Sequence, residues 1–181
     1  DQRGCLSPAV VYVEAGGAVS GLKFAQSVAE ALRGLSLADQ GLRPAGPQRI
    51  LDKEDLKNRW KLKKVKGEEA HFWESSVRGE WAVFFEQKNP EFSHVSGGQS
   101  VFIREYKNLK DVSGALSPYG KYLQAAALEA PGAKRESIAQ ILAELGVNRV
   151  TRAGCLQEPP ASWHHDGMPN LAGWLRWTDL E

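Results

Sequence analysis

The amino-terminal part of the chain alternates between a strand-like apolar run and a helix-like apolar repeat. Residues 8–14 contain the β-branched run Val10 to Val13 and end at Gly16-Gly17, a pattern typical of a buried strand. From Leu22 to Leu35, apolar residues recur at a spacing of three to four, which predicts a helix with one apolar face. Because Val10 to Val13 offers no polar face to solvent, we expect this strand inside a sheet and not at its edge.

Further elements follow the same alternation after a weakly patterned segment. Between about Ser36 and Arg78, glycines and prolines predict loop, followed by a short helix that Asp52 could cap. The predicted strands after it are Glu80–Gln87, Gln99–Tyr106, Tyr122–Leu128 and Val147–Thr151, and the predicted helices are Leu109–Leu116 and one that starts at Pro131-Gly132 and stops at Gly146.

Strands that alternate with helices favour an α/β fold with an open, mostly parallel sheet flanked by helices. A chain of 181 residues is long enough for one ordinary domain, so we expect residues 1–181 to form a single domain. With 42% hydrophobic and 25% charged residues, the composition is that of a globular protein and not of a disordered chain.

No segment approaches the roughly 18 apolar residues that a membrane span needs, and Asp1-Gln2-Arg3-Gly4 lacks the layout of a signal peptide. We therefore expect a cytoplasmic protein. Met168 is the only methionine, so we also expect the chain to be an excised piece of something longer. In a reducing compartment the two cysteines, Cys5 and Cys155, are expected to stay unpaired.

Several motifs that would identify a site are missing from the sequence. Gly16, Gly17 and Gly21 have the wrong spacing for a Gly-x-Gly-x-x-Gly loop, and Leu22 stands where a phosphate loop needs lysine. Neither Cys-x-x-Cys nor His-Glu-x-x-His occurs, and a Gly-x-Ser-x-Gly elbow is also missing. We expect no complete dinucleotide site and no metal site in this chain.

Basic residues are concentrated between Lys53 and Lys66, in a segment that also contains Trp60. Such a segment is most often a solvated helix face. It could also bind the phosphates of coenzyme A, or nucleic acid, with bases stacking on the aromatic ring. Nucleic acid is the least favoured of these three interpretations.

The two ends of the chain carry residues that point to a family. At the amino end, residues 2–8 place Cys5 directly before the first strand. At the carboxyl end, the matching segments are 146–150, 154–160, 163–167, 170–171 and 176–179. Together they resemble the catalytic, carboxyl-terminal domain of the long-chain acyl-CoA reductases of bacterial fatty acid reductase systems, in the aldehyde dehydrogenase superfamily.

This resemblance implies a reaction and several partners. Cys5 would take the acyl group from acyl-CoA as a thioester, with coenzyme A as the carrier, and NADPH or NADH would reduce the thioester to a fatty aldehyde. The family binds its nicotinamide mainly in an amino-terminal nucleotide-binding domain that is absent here, so the isolated chain should not turn over. A homo-oligomer remains open.

The segment from Trp163 to Gly167 has a catalytic and a structural interpretation. His164 or His165, oriented by Asp166, could lower the pKa of the Cys5 thiol, and the segment should then return near the start of the first strand. Alternatively, these residues only stabilise a tight turn. Cys155 is expected to be an inert, half-buried thiol. The competing function is a non-catalytic α/β domain whose basic segment recruits a nucleotide, nucleic acid or an acidic protein.

Overall fold

A computed structural model describes residues 6–37, 46–76, 80–92, 100–176 and 178–180, which form two compact units, 1–115 and 116–181. The described elements before residue 117 are strands β1 (Val10–Glu14), β2 (Ala70–Glu74), β3 (Ala82–Gln87) and β4 (Ser100–Tyr106), with helices α1 (Gly21–Leu37), α2 (Pro47–Val65) and α3 (Leu109–Leu116). No described helix combines the length and the apolar character needed to cross a membrane.

The first unit is built on an open four-stranded sheet in the order β1-β4-β3-β2. β1 and β3 both pair with β4 in parallel, and β2 pairs with β3 in antiparallel fashion. Helices α1 and α2 pack against this sheet. The predicted fold class, a mostly parallel open sheet flanked by helices, is therefore confirmed.

The two faces of the sheet bury different sets of apolar residues. On one face, Ala25 and Ala29 of α1 pack against Val83, Phe85 and Ile103. On the other face, Trp60 of α2 packs against the residues Ala70, Ala82, Phe84 and Phe102. Because successive side chains of a strand point to opposite faces, a strand covered on both sides needs an unbroken apolar run.

The prediction that β1 lies inside the sheet was wrong, since β1 is an edge strand of the described sheet. Its apolar run is explained by coverage on both faces: Val11 and Val13 pack into the α1 side, and Val10 packs into the α2 side. The apolar run of β1 therefore indicates that both of its faces are covered. It does not indicate whether β1 has a neighbouring strand on each side.

The weakly patterned segment holds more structure than the sequence predicted. The expected short helix beginning at Asp52 is the 19-residue helix α2, which starts at Pro47. β2 was not predicted at all. Its residues His71, Phe72 and Trp73 form a run of aromatic rings that pair with β3 at the far edge of the sheet.

The second unit is a small βαβ arrangement, formed by β5 (Ala125–Ala127), α4 (Gly132–Glu144) and β6 (Arg149–Thr151). β5 and β6 form a parallel two-stranded sheet of their own. The strand predicted over Tyr122–Leu128 is shorter than expected, because a 3₁₀ helix occupies Ser117–Tyr122. Gly146 ends α4 as predicted, with φ of 106° and its α-carbon packed against the carbonyl of Gly120.

Candidate active site

Cys5, the predicted nucleophile, lies outside the described residues, so its role stays a prediction. The chain that follows it is held by strand pairing: the N–H of Phe102 donates a 3.1 Å hydrogen bond to the carbonyl of Ala9, and β1 begins at Val10. The backbone leading from Cys5 into the sheet is therefore fixed from Ala9 onward.

The two histidines predicted to assist the thiol occupy a tight turn of the second unit, and of these two only the ring of His165 has hydrogen-bonding and aromatic partners among the described residues. The Nδ1 atom of His165 lies 3.0 Å from the Oδ2 atom of Asp166, and its ring centroid lies 4.9 Å from that of Trp163. His164 is exposed, and its backbone carbonyl accepts a 3.0 Å hydrogen bond from the N–H of Gly167. His165 is thus the histidine whose ring this turn orients.

The turn itself is held in an uncommon backbone conformation. Asp166 has φ of 54° and ψ of 27°, in the left-handed region that few residues other than glycine adopt, and Gly167 follows with φ of 73°. The other carboxylate oxygen of Asp166 accepts a 2.9 Å hydrogen bond from Gln124. Aspartate tolerates the left-handed region better than most residues, so this conformation suits a tight turn.

Arg149 organises the loop that precedes this turn. Its guanidinium donates to the carbonyls of Leu156, Cys155 and Glu158 at 2.7, 2.8 and 3.1 Å, and it lies 5.6 Å from the ring centroid of Trp163. The guanidinium spreads these bonds over two nitrogens held in one plane, whereas all three donors of a lysine lie on a single nitrogen. The thiol of Cys155 is half-buried in this loop.

Next to the turn, the second unit forms a cleft of about 580 Å³. Its walls include the amides of Gln124 and Asn148, the carboxylate of Asp166, and Lys121 beside Tyr122. A lining of amides and charges suits a polar group and not a hydrocarbon chain.

In the first unit, the start of α1 is occupied by a carboxylate of the protein. The N–H of Gly21 donates a 2.8 Å hydrogen bond to Oε2 of Glu105, which is 9% exposed, and Gln87 donates to the other oxygen at 2.8 Å. In a dinucleotide-binding βα unit this helix start would receive the pyrophosphate. Glu105 fills that position and would repel phosphate, so the described residues do not fit a nicotinamide dinucleotide there.

A second, smaller cleft of about 150 Å³ lies at the carboxyl ends of β1, β3 and β4. Ligands of open α/β sheets usually bind at this edge. Here Lys88 and Lys107 stand beside Glu105 and Asp111, so the charges of the lining are mixed.

On the α2 face, a buried ionic cluster joins the helix to the sheet. Glu86 and Arg104 are neighbours across β3 and β4 and form an ion pair, and Glu86 also accepts a hydrogen bond from Lys63. Burial raises the pKa of Glu86, but the hydrogen bond from Lys63 and the charge of Arg104 outweigh it and lower that pKa below its ordinary value of 4.5.

The basic segment is divided between the core and solvent. Lys53 is buried, and Lys57 bonds Glu74 at 2.9 Å. Burial lowers the pKa of Lys57, yet the hydrogen bonds to Glu74 and Glu54 raise it overall. The expectation that Trp60 could stack bases was wrong, because its ring is 4% exposed and its N–H donates to the carbonyl of Phe85 at 2.9 Å.

Sequence reasoning missed the roles of Glu105, Glu86 and Arg149. A signal for the two glutamates was present in the sequence. Arg104 and Glu105 interrupt the apolar strand β4, and a charged residue inside a buried strand must have a buried partner. Among the residues that the structure describes, no three His, Cys, Asp or Glu side chains come together as metal ligands.

A comparison with family models agrees with the features found at both ends of the chain. No curated protein matches the sequence significantly. The family model described as acyl-CoA reductase (LuxC) matches residues 1–177, a range that includes Cys5, Arg149 and the turn at His165. The chain belongs to the acyl-CoA reductase (LuxC) family.

Proposed function

We propose that the intact enzyme reduces acyl-CoA to a fatty aldehyde and that residues 1–181 supply the catalytic domain, with Cys5 as the acyl acceptor. The observation that carries this proposal is the family match over residues 1–177, which extends across both Cys5 and the turn at His165.

The first step uses only the thiol and the substrate. The Cys5 thiolate attacks the carbonyl carbon of acyl-CoA, a new carbon–sulfur bond forms, and the bond to the coenzyme A sulfur breaks. The coenzyme A thiolate leaves and takes up a proton. One thioester replaces another, so the acyl group keeps the oxidation level and the reactive carbonyl that reduction to an aldehyde requires.

Reduction of that thioester needs a hydride, which NADPH or NADH supplies when bound. Glu105 occupies the start of α1, so we propose that the nicotinamide is held mainly by a domain outside this chain. The chain alone is then inactive as a reductase. Because acyl-CoA and reduced nicotinamides are cytoplasmic metabolites, we place the enzyme in the cytoplasm.

We propose His165, and not His164, as the group that lowers the pKa of the thiol. Its ring is oriented by Asp166 and Trp163, which keeps one nitrogen bonded and leaves the other available. A positively charged imidazole near a thiol favours the thiolate.

Two measurements on the intact enzyme test these assignments. Aldehyde formation from a long-chain acyl-CoA with NADPH or NADH should disappear in Cys5→Ala and persist in Cys155→Ala. The pH dependence of iodoacetamide labelling of Cys5 should move to higher pH in His165→Ala and stay unchanged in His164→Ala. Full activity of the Cys5→Ala enzyme would refute the proposal, and identical labelling profiles would remove His165 from it.

A further inference from the structure

Helix α2 carries apolar side chains on the face directed away from the sheet. Leu51, Leu62 and Val65 are 60%, 60% and 84% exposed. At about 100° per residue they fall within an arc of roughly 60°, on the side of the helix opposite the buried Trp60. Asn58 falls within the same arc and Asp55 lies beside it, so the exposed apolar surface is concentrated at Leu62 and Val65, at the end of the helix. Exposed apolar residues grouped in this way mark a candidate contact surface.

Lysines surround the carboxyl-terminal part of this stripe. Lys61, Lys64 and Lys66 are exposed, and none of them forms an ion pair within the described part of the chain, whereas Arg59 pairs with Asp55 at 2.7 Å. The nearby carboxylates of Glu68 and Glu69 face other partners, Lys63 at 4.0 Å and His71 at 3.4 Å. Lys61 and Lys66 flank Leu62 and Val65 on the solvent side of the helix, whereas Lys64 lies nearer the side of Trp60. We name the set Lys61, Leu62, Val65 and Lys66 the α2 patch.

We propose that the α2 patch docks the protein on an anionic lipid surface. An interfacial helix places its apolar side chains at the boundary between head groups and acyl chains, while lysines beside them bind lipid phosphates. Leu62 and Val65 supply the first contact, and Lys61 and Lys66 supply the second.

Lipid explains this patch better than a phosphate ligand or nucleic acid does. Neither of the two clefts described above includes a residue of α2, so neither of them places these lysines around a phosphate. Trp60 is buried and cannot stack bases. A polyanion would also gain nothing from Val65, the most exposed apolar residue of the helix.

The benefit of such docking rests on the proposed function, because a long-chain aldehyde partitions into lipid as it is released. The binding itself requires no catalysis. Sedimentation with vesicles can therefore succeed or fail independently of the reductase assay. If the protein binds vesicles but forms no aldehyde, lipid docking stands and the proposed function is refuted.

The test is sedimentation of the intact protein with phosphatidylcholine vesicles, with and without phosphatidylglycerol. Binding should require the anionic lipid and weaken with salt. Lys61→Gln with Lys66→Gln should reduce affinity about 25-fold, since each lysine contributes about fivefold. The matched control, Lys23→Gln with Lys110→Gln, changes exposed lysines of α1 and α3 and should leave affinity unchanged.

A second pair of substitutions separates the apolar contact with lipid from the electrostatic one. Leu62→Ser with Val65→Ser should also weaken vesicle binding, because it removes the apolar contact and leaves every charge in place. Loss with the lysine variant but full binding with the serine variant would show that binding is electrostatic only, and would overturn docking through apolar contact with the lipid. Failure of the unaltered protein to sediment with anionic vesicles would overturn it as well.

Discussion

The N–H of Gly21 and the carboxylate of Glu105 are joined by a 2.8 Å hydrogen bond between residues 84 positions apart in the chain. The bond ties the start of α1 to the end of β4, and it puts a negative charge at the positive end of a helix. The same contact closes the position at which a dinucleotide phosphate would bind.

Replacing Glu105 with alanine should destabilise the protein by about 1.5–3 kcal/mol, because it removes hydrogen bonds from Gly21 and Gln87 to a buried charged group. Urea denaturation measures the change. Glu30→Ala, at an exposed position of the same helix, should stay within about 0.5 kcal/mol. Equal effects of the two substitutions would show that Glu105 does not cap α1.

Replacing Glu86 with glutamine should cost about 3–5 kcal/mol at neutral pH, because Arg104 then stays buried without its ionic partner. The pH dependence should change too. Below pH 4.5 the unfolded state takes up a proton at Glu86 while the folded state stays ionised, so this residue's contribution to stability falls as pH falls through its lower folded pKa.

Urea midpoints measured from neutral pH down to a pH of about 3 test this assignment. The Glu86→Gln protein should lose stability less steeply with acid than the unaltered protein, and Glu30→Gln should keep the original slope. An unchanged slope in Glu86→Gln would contradict a lowered pKa at this residue.

Gly146→Ala should destabilise the second unit by about 2 kcal/mol or more. An added β-carbon would lie 2.4 Å from the carbonyl oxygen of Gly120, and φ of 106° is strained for alanine. Gly34→Ala is the control, since a β-carbon in the middle of α1 meets nothing within 4 Å. It should stabilise by up to about 1 kcal/mol. Hydrogen exchange over residues 117–151 locates the effect, and normal protection there in Gly146→Ala would contradict the predicted contact.

Arg149→Lys should loosen the loop before the turn at His165 while leaving β6 paired, because the single nitrogen of lysine replaces two nitrogens that reach the carbonyls of Leu156, Cys155 and Glu158 from different positions. Limited proteolysis should then cut faster between residues 152 and 162. Arg152→Lys, a neighbouring exposed arginine, should leave the cleavage rate unchanged. Equal rates in all three proteins would mean that Arg149 does not order this loop.

The sequence was sufficient to predict most of the fold, because buried faces of helices and strands require apolar residues at regular spacings along the chain. β3, β4, α1 and α3 follow directly from that pattern. The position of β1 at an edge could not be predicted, since an apolar run depends on the helices above and below the strand and not on its neighbours in the sheet. β2 was missed because three aromatic residues in five, between charged flanks, also fit a loop.

For the candidate site, residue types and spacing indicated Cys5 and the His-His-Asp segment but could not separate the two histidines. That distinction depends on ring contacts of His165 with Asp166 and Trp163, which the order of residues does not contain. The role of Glu105 at the start of α1 could not be predicted for the same reason, because its partner Gly21 is distant in the chain.

The central claim is that Cys5 carries the acyl group, and it is tested most directly by incubating the full-length enzyme with a labelled long-chain acyl-CoA without reductant. The label should map to the peptide containing Cys5 and be released by hydroxylamine, as expected for a thioester. Cys5→Ser should abolish rapid labelling, because an unactivated hydroxyl is a far poorer nucleophile than a thiolate, and Cys155→Ser should leave it nearly unchanged. Undiminished labelling of the Cys5→Ser protein, or label found on Cys155, would contradict the account.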